Sequence, residues 1–154
     1  LFCDWRYDRE GKPKAGFVLN DPRFGGCVLV AGENFGSGSS REHAAWAIAG
    51  YGFRVVIAKS FADIHKNNEL NNFVLPVQAS AAFVDELQAC IAADPSVKVR
   101  VDLPAQTVTN LATGRSESFD IMPYKKYCLE NALDDIDFML ANKSKIEAYE
   151  KSKC

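Results

Sequence analysis

Three short apolar runs that alternate with segments of helical character restrict the fold of this chain more than any other feature. The runs lie between glycines or polar residues, as buried strands commonly do, and they cover residues 26–32, 54–59 and 73–77. Strands that alternate with helices favour βαβ units and a parallel or mixed sheet. Pro76 falls inside the third run, and it is predicted at a strand end or sheet edge because proline cannot donate to the ladder. The first part of the chain is therefore predicted to be α/β.

The second part of the chain changes to an antiparallel pattern. Residues 97–103 alternate apolar and polar side chains with a period of two, which indicates a half-exposed strand. Residues 106–111 and 116–121 flank a turn in which Gly114 can supply a positive φ. We therefore predict an antiparallel portion that follows the βαβ units.

Three further segments predict helices. Residues 81–94 carry apolar side chains near a period of 3.6, and residues 133–142 and 144–153 close the chain. Ser144, with a glutamate three residues later, has the spacing of a capping box for the last helix. Because no repeat, linker or low-complexity segment interrupts the pattern, residues 1–154 are predicted to form one domain.

Composition and charge exclude several classes of function. The formal net charge is -2 and hydrophobic residues make up 47% of the chain, which gives no general attraction to nucleic acid or to an anionic membrane. No apolar run approaches the roughly 20 residues that a membrane span needs. Residues 1–12 also lack the basic and apolar regions of a signal peptide. We therefore predict neither nucleic acid nor a membrane as a partner, and any anion site must be local.

The cysteines are scattered and form no C-x-x-C pair. They number five: Cys3, Cys27, Cys90, Cys128 and Cys154. An odd, scattered set indicates reduced thiols and a cytoplasmic protein, or one of the organellar stroma or matrix in a eukaryote. Such a set lacks the clustered thiolates of an iron–sulfur or structural zinc site. No metal is predicted to be held by this chain alone.

A loop rich in glycine and serine precedes a helix of small residues. Residues 32–52 read GENFGSGSSREHAAWAIAGYG. Ser39 and Glu42 have the spacing of a capping box at the start of this helix. Gly50 and Gly52 are predicted to end it.

The same loop has the composition of an anion site. The N-terminus of a helix favours negative charge, and Arg41 adds a planar guanidinium that suits a carboxylate. Ser39 and Ser40 can donate hydroxyl hydrogen bonds. Gly36 and Gly38 leave room for a ligand or a second chain beside the backbone. A phosphate-binding loop would carry a lysine where this loop has serine, so a carboxylate is favoured, and the alternative is a capped helix with no ligand.

Three other side chains near the loop carry predictions of their own. His43 could meet a ligand, but a buried hydrogen bond near the start of the helix is the favoured interpretation. His65 is predicted on the surface. Ser60 is predicted to cap the helix that follows the second strand.

Residues 32–64 resemble the swivelling-domain signature of the aconitase superfamily, above all in the segment GSGSSREHAAWA. The flanking segments FCDWRYDREG, NDPRFGG, VDLPAQTV and KYCLENALDDIDFML are similar to the small subunits of 3-isopropylmalate dehydratase. The resemblance therefore covers essentially the whole chain. It implies an aconitase-type swivelling β/β/α domain, an α/β fold with a mixed parallel and antiparallel sheet and flanking helices.

The resemblance also implies a reaction. This family of hydro-lyases interconverts 2-isopropylmalate and 3-isopropylmalate in leucine biosynthesis, by loss and addition of water through isopropylmaleate. It acts only with a large subunit, whose [4Fe-4S] cluster is a Lewis acid toward the small carboxylate substrate. By position in the signature, Ser39 would be the base that takes the proton from carbon, while Ser40 and Arg41 would bind a substrate carboxylate. Supporting positions would be Gly36, Gly38, Glu42 and His43.

One departure from the family leaves alternatives open. Family members normally have several dozen residues ahead of LFCDWRY, including a loop that contacts the variable side chain of the substrate, so the chain is expected to be N-terminally truncated. Related hydro-lyases acting on homoaconitate, or on methylmalate or citraconate, therefore remain alternatives. A non-catalytic anion-binding module is another, and the presence of a cluster-bearing partner distinguishes it from the enzyme.

Overall fold

The computed structural model describes residues 1–38 and 41–153, so that Ser39, Ser40 and Cys154 lie outside the described part of the chain. The chain divides into two compact units, Leu1–Asp120 and Ile121–Cys154. The single domain over residues 1–154 stays a prediction.

A three-stranded parallel sheet forms the centre of the first unit. Its strands are β1 (Val28–Val30), β2 (Val55–Ala58) and β3 (Leu75–Gln78), in the order β1-β2-β3. The parallel pairing confirms the βαβ prediction. Pro76 lies opposite Val56 in β3, an edge strand among the described residues. The predicted edge position of this proline is therefore confirmed.

Four helices belong to the first unit: α1 (Cys3–Arg6), α2 (His43–Tyr51), α3 (Asp63–Asn71) and α4 (Ala81–Ala93). Two short 3-10 turns, Val18–Asn20 and Pro22–Phe24, precede the sheet. Of the two glycines predicted to end α2, Gly50 lies within the helix, whereas Gly52 ends it, with φ 113° and its N–H donated to the carbonyl of Ala49. Ser80 is the N-cap of α4, and its hydroxyl accepts the N–H of Phe83 at 3.1 Å.

The core lies between the parallel sheet and its helices. Its fully buried members include Ala45, Val56, Ile57, Val74, Val77, Phe83, Val84 and Leu87. Three of these eight come from α4, because the apolar period of that helix places them on one face. Burial of these side chains, at about 25 cal/mol per Å² of apolar surface, provides the main force that holds helices and sheet together.

The antiparallel part forms a second sheet rather than continuing the first. It consists of β4 (Val99–Asp102), β5 (Thr107–Asn110) and β6 (Ser116–Ser118) in the order β4-β5-β6. Gly114 in the β5–β6 turn has φ 76°, as predicted. Polar contacts join this sheet to α4, among them Asn110 Nδ2 to Glu86 Oε1 at 3.1 Å. The α/β fold with parallel and antiparallel strands is confirmed, with the two kinds of strand in separate sheets.

The second unit is helical, with α5 (Pro123–Glu130), α6 (Asp135–Ala141) and α7 (Lys143–Lys153). The predicted capping box at Ser144 is wrong, because α7 begins at Lys143 and Ser144 already lies within the helix. A capping box instead begins α6, where Asp134 accepts the N–H of Asp137 at 2.7 Å. Across residues 1–38 and 41–153, no helix is long and apolar enough to cross a membrane.

Candidate functional site

The glycine- and serine-rich loop leaves the end of β1 and runs beside the segment that leaves β2. Gly32 accepts the N–H of Lys59 at 3.2 Å, and Phe35 donates its N–H to the carbonyl of Ser60 at 2.9 Å. Phe35 and Phe61 form a parallel bridge beyond the sheet proper. The loop therefore lies at the carboxyl ends of neighbouring parallel strands, the edge at which open α/β folds bind ligands.

Ser60 holds the loop and does not cap a helix. Its hydroxyl accepts the N–H of Asn34 at 2.7 Å. Helix α3 begins at Asp63 with Ala62 at its N-cap, so Ser60 lies too far upstream to cap it, and the predicted capping role is wrong. The hydroxyl instead fixes a loop that is distant in sequence.

A tight turn at Asn34 to Ser37 changes the direction of the loop. Asn34 has φ 51° and Gly36 has φ 81°, and Ser37 donates its N–H to the carbonyl of Asn34 at 3.2 Å. A Cβ on Gly36 would lie 2.1 Å from Cγ of His65, whereas a Cβ on Gly38 would meet nothing within 4 Å. The absence of a side chain at Gly36 therefore admits His65 of the same chain, which corrects the predicted reason for this glycine. Of these two glycines, Gly38 is the one with open space beside the backbone.

His65 is buried beneath this turn. Its side chain is 2% exposed, so its predicted surface position is wrong. The ring packs edge to face against Phe35 with centroids 5.3 Å apart. The sequence of α3 is polar nearly throughout, and it therefore gave no apolar stripe from which this burial could be predicted.

His65 forms a buried pair with Glu69, one turn later on α3. Nε2 of His65 lies 3.0 Å from Oε1 of Glu69, and the Glu69 side chain is 0% exposed. The contact is short but too poorly aligned for a hydrogen bond. The ring nitrogens and the carboxylate oxygens make no hydrogen bond to any other described residue. Burial raises the pKa of Glu69, and the nearby imidazole opposes this only in part. The pair is costly to bury.

The burial of Glu69 is expected to change how the free energy of unfolding depends on pH. Glu69 has its pKa raised above the ordinary value of 4.5, so as the pH rises past 4.5 the unfolded chain loses its proton before the folded chain does. The free energy of unfolding of the unchanged protein should then fall with rising pH relative to that of Glu69→Gln. Urea denaturation at a series of pH values measures this difference.

The matched control is Glu147→Gln. Glu147 forms an exposed i,i+4 pair with Lys143 at 3.7 Å on α7, so the same chemical change removes a solvated carboxylate. This variant should follow the pH profile of the unchanged protein. Parallel pH profiles for the unchanged protein and Glu69→Gln would contradict the prediction.

Helix α2 begins later than the capping box predicts. Its N-cap position is Glu42, which has helical angles (φ -59°, ψ -29°) and no side-chain cap. The preceding turn is closed by an i→i+3 bond from Ala44 N–H to the carbonyl of Arg41 at 3.1 Å. The predicted capping box is therefore wrong in register, since the helix does not extend back to include this turn. The Glu42 carboxylate instead accepts from Asn72 Nδ2 at 3.2 Å.

The predicted site residues that follow the loop are exposed. Arg41, Glu42 and His43 are all solvent-accessible. The His43 ring lies 4.5 Å from that of Trp46, so the predicted buried hydrogen bond is wrong, because position 43 lies on the outer face of α2. Ser39 and Ser40 lie outside the described residues. The structure thus places Gly36 and Gly38 in the loop that follows β1, and it leaves Arg41, Glu42 and His43 exposed at the start of α2.

A cleft of about 720 Å³ opens at the same edge of the parallel sheet, where β2 and β3 end. Its lining comes from distant segments: Glu33, Lys59, Ser60, Lys66, residues 78–81 and residues 118–120. Lys59 is paired with Asp85 at 2.6 Å, and this hydrogen bond raises the pKa of Lys59. Lys66 forms no ion pair within the described structure. Sequence reasoning missed this cleft because its lining residues come together only in the fold.

The described residues offer no site for an iron–sulfur cluster. Cys3, Cys27, Cys90 and Cys128 are free thiols, and Cys128 is buried. No group of three or more histidine, cysteine, aspartate or glutamate side chains converges anywhere in residues 1–38 and 41–153. An iron–sulfur cluster requires several cysteine thiolates at one place, so these donors do not fit one.

Two family models match the chain. The aconitase C-terminal domain matches residues 3–82, and LeuD_N matches residues 85–123. The first match contains the parallel sheet, the signature loop and the buried pair. The second contains the antiparallel sheet.

Several named proteins are similar over nearly the whole chain. The 3-isopropylmalate dehydratase small subunit of Cytophaga hutchinsonii is 55% identical over 152 residues, which cover 99% of this chain and 76% of that protein. The small subunit of Christiangramia forsetii is 50% identical over 153 residues, covering 99% and 75%. Among solved structures, the 3-isopropylmalate dehydratase of Methanocaldococcus jannaschii superposes with a TM-score of 0.60 at 31% identity, covering 80% of this chain and 68% of the other.

Proposed function

Because the chain belongs to the family of 3-isopropylmalate dehydratase small subunits, we propose that it completes the active site of a hydro-lyase that interconverts 2-isopropylmalate and 3-isopropylmalate through isopropylmaleate. The observation that carries this proposal is the 55% identity to a small subunit of that name over 99% of the chain. The signature loop at the carboxyl edge of the parallel sheet is consistent with it. The pathway would be leucine biosynthesis, in the cytoplasm or in an organellar stroma or matrix.

The proposed division of labour assigns the [4Fe-4S] cluster to a large subunit. This assignment rests on the family, and among the described residues the four cysteines, Cys3, Cys27, Cys90 and Cys128, do not converge. When bound there, the cluster would supply Lewis-acid chemistry toward the substrate hydroxyl. This chain would supply the groups that bind the carboxylate and move the proton on carbon.

Arg41 is the proposed carboxylate-binding residue of this chain, together with Ser40. Arg41 is an exposed residue at the start of the turn that leads into α2, where a ligand held by a partner could reach it. A planar guanidinium binds a carboxylate through two parallel hydrogen bonds. The positive end of the α2 dipole acts in the same direction.

Ser39 is the proposed base. A serine hydroxyl is a weak base in water, but a neighbouring guanidinium and a helix N-terminus stabilise its alkoxide once water is excluded. The N-cap position of α2 is Glu42, three residues after Ser39 in the sequence. The assignment of Ser39 and Ser40 rests on their position in the signature.

The cleft beside the loop suits a small polar ligand. It combines Lys66, which has no ion pair with any described residue, with the hydroxyl of Ser60, and the carboxyl ends of β2 and β3 border it. A dicarboxylate substrate that reached Arg41 would approach from this edge of the sheet. The acidic side chains Glu33 and Asp120 also line the cleft, so its charge is mixed.

The test mixes this chain with a cluster-loaded large subunit of the same source, supplies 3-isopropylmalate and follows isopropylmaleate by ultraviolet absorbance. Turnover is expected only when both chains are present. Homoaconitate and 2-methylmalate serve as competing substrates, and faster turnover of either would replace isopropylmalate as the substrate. Assembly of the two chains without turnover of any of the three would indicate a non-catalytic anion-binding module.

A further inference from the structure

We infer that His65 and Glu69 are positioning residues for the turn Asn34–Ser37, which precedes the signature residues in the sequence: the imidazole ring supports the turn at Gly36, and the carboxyl group holds the ring in place. The effect on catalysis rests on the proposed function. The effect on the loop itself does not.

The first step is the contact between the turn and the ring. Gly36 packs so closely on His65 that an added Cβ would lie 2.1 Å from the ring carbon Cγ. Phe35 packs against another side of the same ring, with centroids 5.3 Å apart. The ring therefore forms the floor of the turn. The flat face of the His65 ring leaves room for the backbone of Gly36, in its left-handed conformation, against α3.

The second step is the connection between the turn and α3. The loop is already tied to the chain just ahead of that helix, by Asn34 N–H to the Ser60 hydroxyl and by Ala62 N–H to the Phe35 carbonyl at 2.9 Å. These bonds fix residues 34 and 35 but not the residues that follow them. The ring of His65 is the next contact along the loop, and it holds Gly36.

The third step is the reason for a polar pair at a buried position. Glu69 is 0% exposed and lies 3.0 Å from the His65 ring. Such a pair adds little stability compared with apolar side chains of similar size. In some proteins, buried polar pairs instead favour one arrangement of the structure around them. Here the arrangement is the orientation of an imidazole ring on which the turn rests. The carboxyl group therefore acts on the turn only through the ring.

The last step is the distance in sequence from the turn to the signature residues. Only Ser37 and Gly38 separate Gly36 from Ser39. Neither side chain is large, and Gly38 has open space beside it, so the backbone at Gly36 is the last packed position before the signature residues. A displacement of the turn would be passed on to them, and misplacement of catalytic groups by about 1 Å can cost about a hundredfold in rate.

The test compares two double variants that both remove the buried pair. His65→Phe/Glu69→Leu keeps an aromatic ring under Gly36, whereas His65→Ala/Glu69→Leu removes it. In the assembled enzyme, the variant that keeps the ring but lacks the carboxyl group should have a KM and kcat closer to those of the unchanged protein than the variant without the ring has. The variant without the ring should show a KM raised about tenfold and a kcat lowered about tenfold to a hundredfold.

The raised KM separates positioning from general destabilisation, because a partly unfolded preparation loses active sites without changing KM. If His65→Ala/Glu69→Leu does not fold, His65→Leu/Glu69→Leu takes its place with the same expectation. Equal KM and kcat for the ring-containing and ring-lacking variants would overturn the inference.

Amide hydrogen exchange gives a second readout that needs no activity. The N–H groups of Phe35 and Ala62 are hydrogen-bonded within the loop junction, so loss of the ring should speed their exchange at least tenfold while amides of α4 keep their protection. If the unchanged protein shows no dehydratase activity, the proposed function fails, and the exchange rates alone decide the inference. Equal exchange at Phe35 and Ala62 in both double variants would overturn it.

Discussion

Replacement of Ser39 with alanine is expected to lower kcat of the assembled enzyme by about 100- to 10,000-fold, the range over which a positioned acid or base contributes. The substitution removes the proposed base and leaves Arg41, which follows two residues later in the signature, to bind the carboxylate. KM should therefore change much less than kcat. Steady-state kinetics with the large subunit present, together with co-purification of the two chains, measures both effects.

Ser37→Ala is the matched control for this substitution. Ser37 lies two residues earlier, and its backbone N–H makes the turn bond to Asn34, a bond that alanine keeps. The control should retain kcat within about twofold, since no proposed catalytic group is removed. Near-normal turnover by Ser39→Ala would remove the base assignment while leaving the family assignment intact.

Replacement of Gly36 with alanine is expected to lower the free energy of unfolding by about 2–4 kcal/mol, as overpacking and a left-handed non-glycine residue act together. The added Cβ would lie 2.1 Å from His65 Cγ, and its backbone has φ 81°. His65 cannot move aside easily because it is buried against Phe35 and Glu69. Urea denaturation of the isolated chain measures the loss.

Gly38→Ala provides the comparison at nearly the same place. Gly38 has no heavy atom within 4 Å of its potential Cβ, so its substitution should change the free energy of unfolding by less than about 1 kcal/mol. The comparison isolates the contact with the ring from the general effect of removing a loop glycine. Equal losses for the two variants would show that the ring does not determine the cost at Gly36.

The strands and most helices were predictable because their signals are local. Strands β1 and β2 lie within their predicted apolar runs, and β3 extends one residue beyond its run to Gln78. The glycine that ends α2 and the proline of β3 lie where their backbone constraints place them. Apolar periodicity and the conformations of glycine and proline depend on neighbours in sequence. These signals can therefore be interpreted from the sequence without knowledge of the fold.

Two of the errors concern side chains whose burial or partners depend on residues distant in sequence. Ser60 could have capped α3, but the fold presents it with the N–H of Asn34. His65 lies in a polar helix and is buried only because the turn at Gly36 covers it. The cleft, and the burial of the His65–Glu69 pair, likewise result from segments that only the fold brings together. Such contacts depend on how loops settle on a sheet, and no short sequence window contains that information.

All the described anchors of the signature loop lie downstream of it. Asn34, Phe35 and Gly36 are held by residues between Ser60 and His65. During synthesis, which delivers the N-terminal part first, the loop leaves the ribosome before any of these anchors exists. The loop can therefore take this shape only after β2 and the start of α3 have emerged, and a chain truncated ahead of Ser60 would carry the segment GSGSSREHAAWA without any of these contacts.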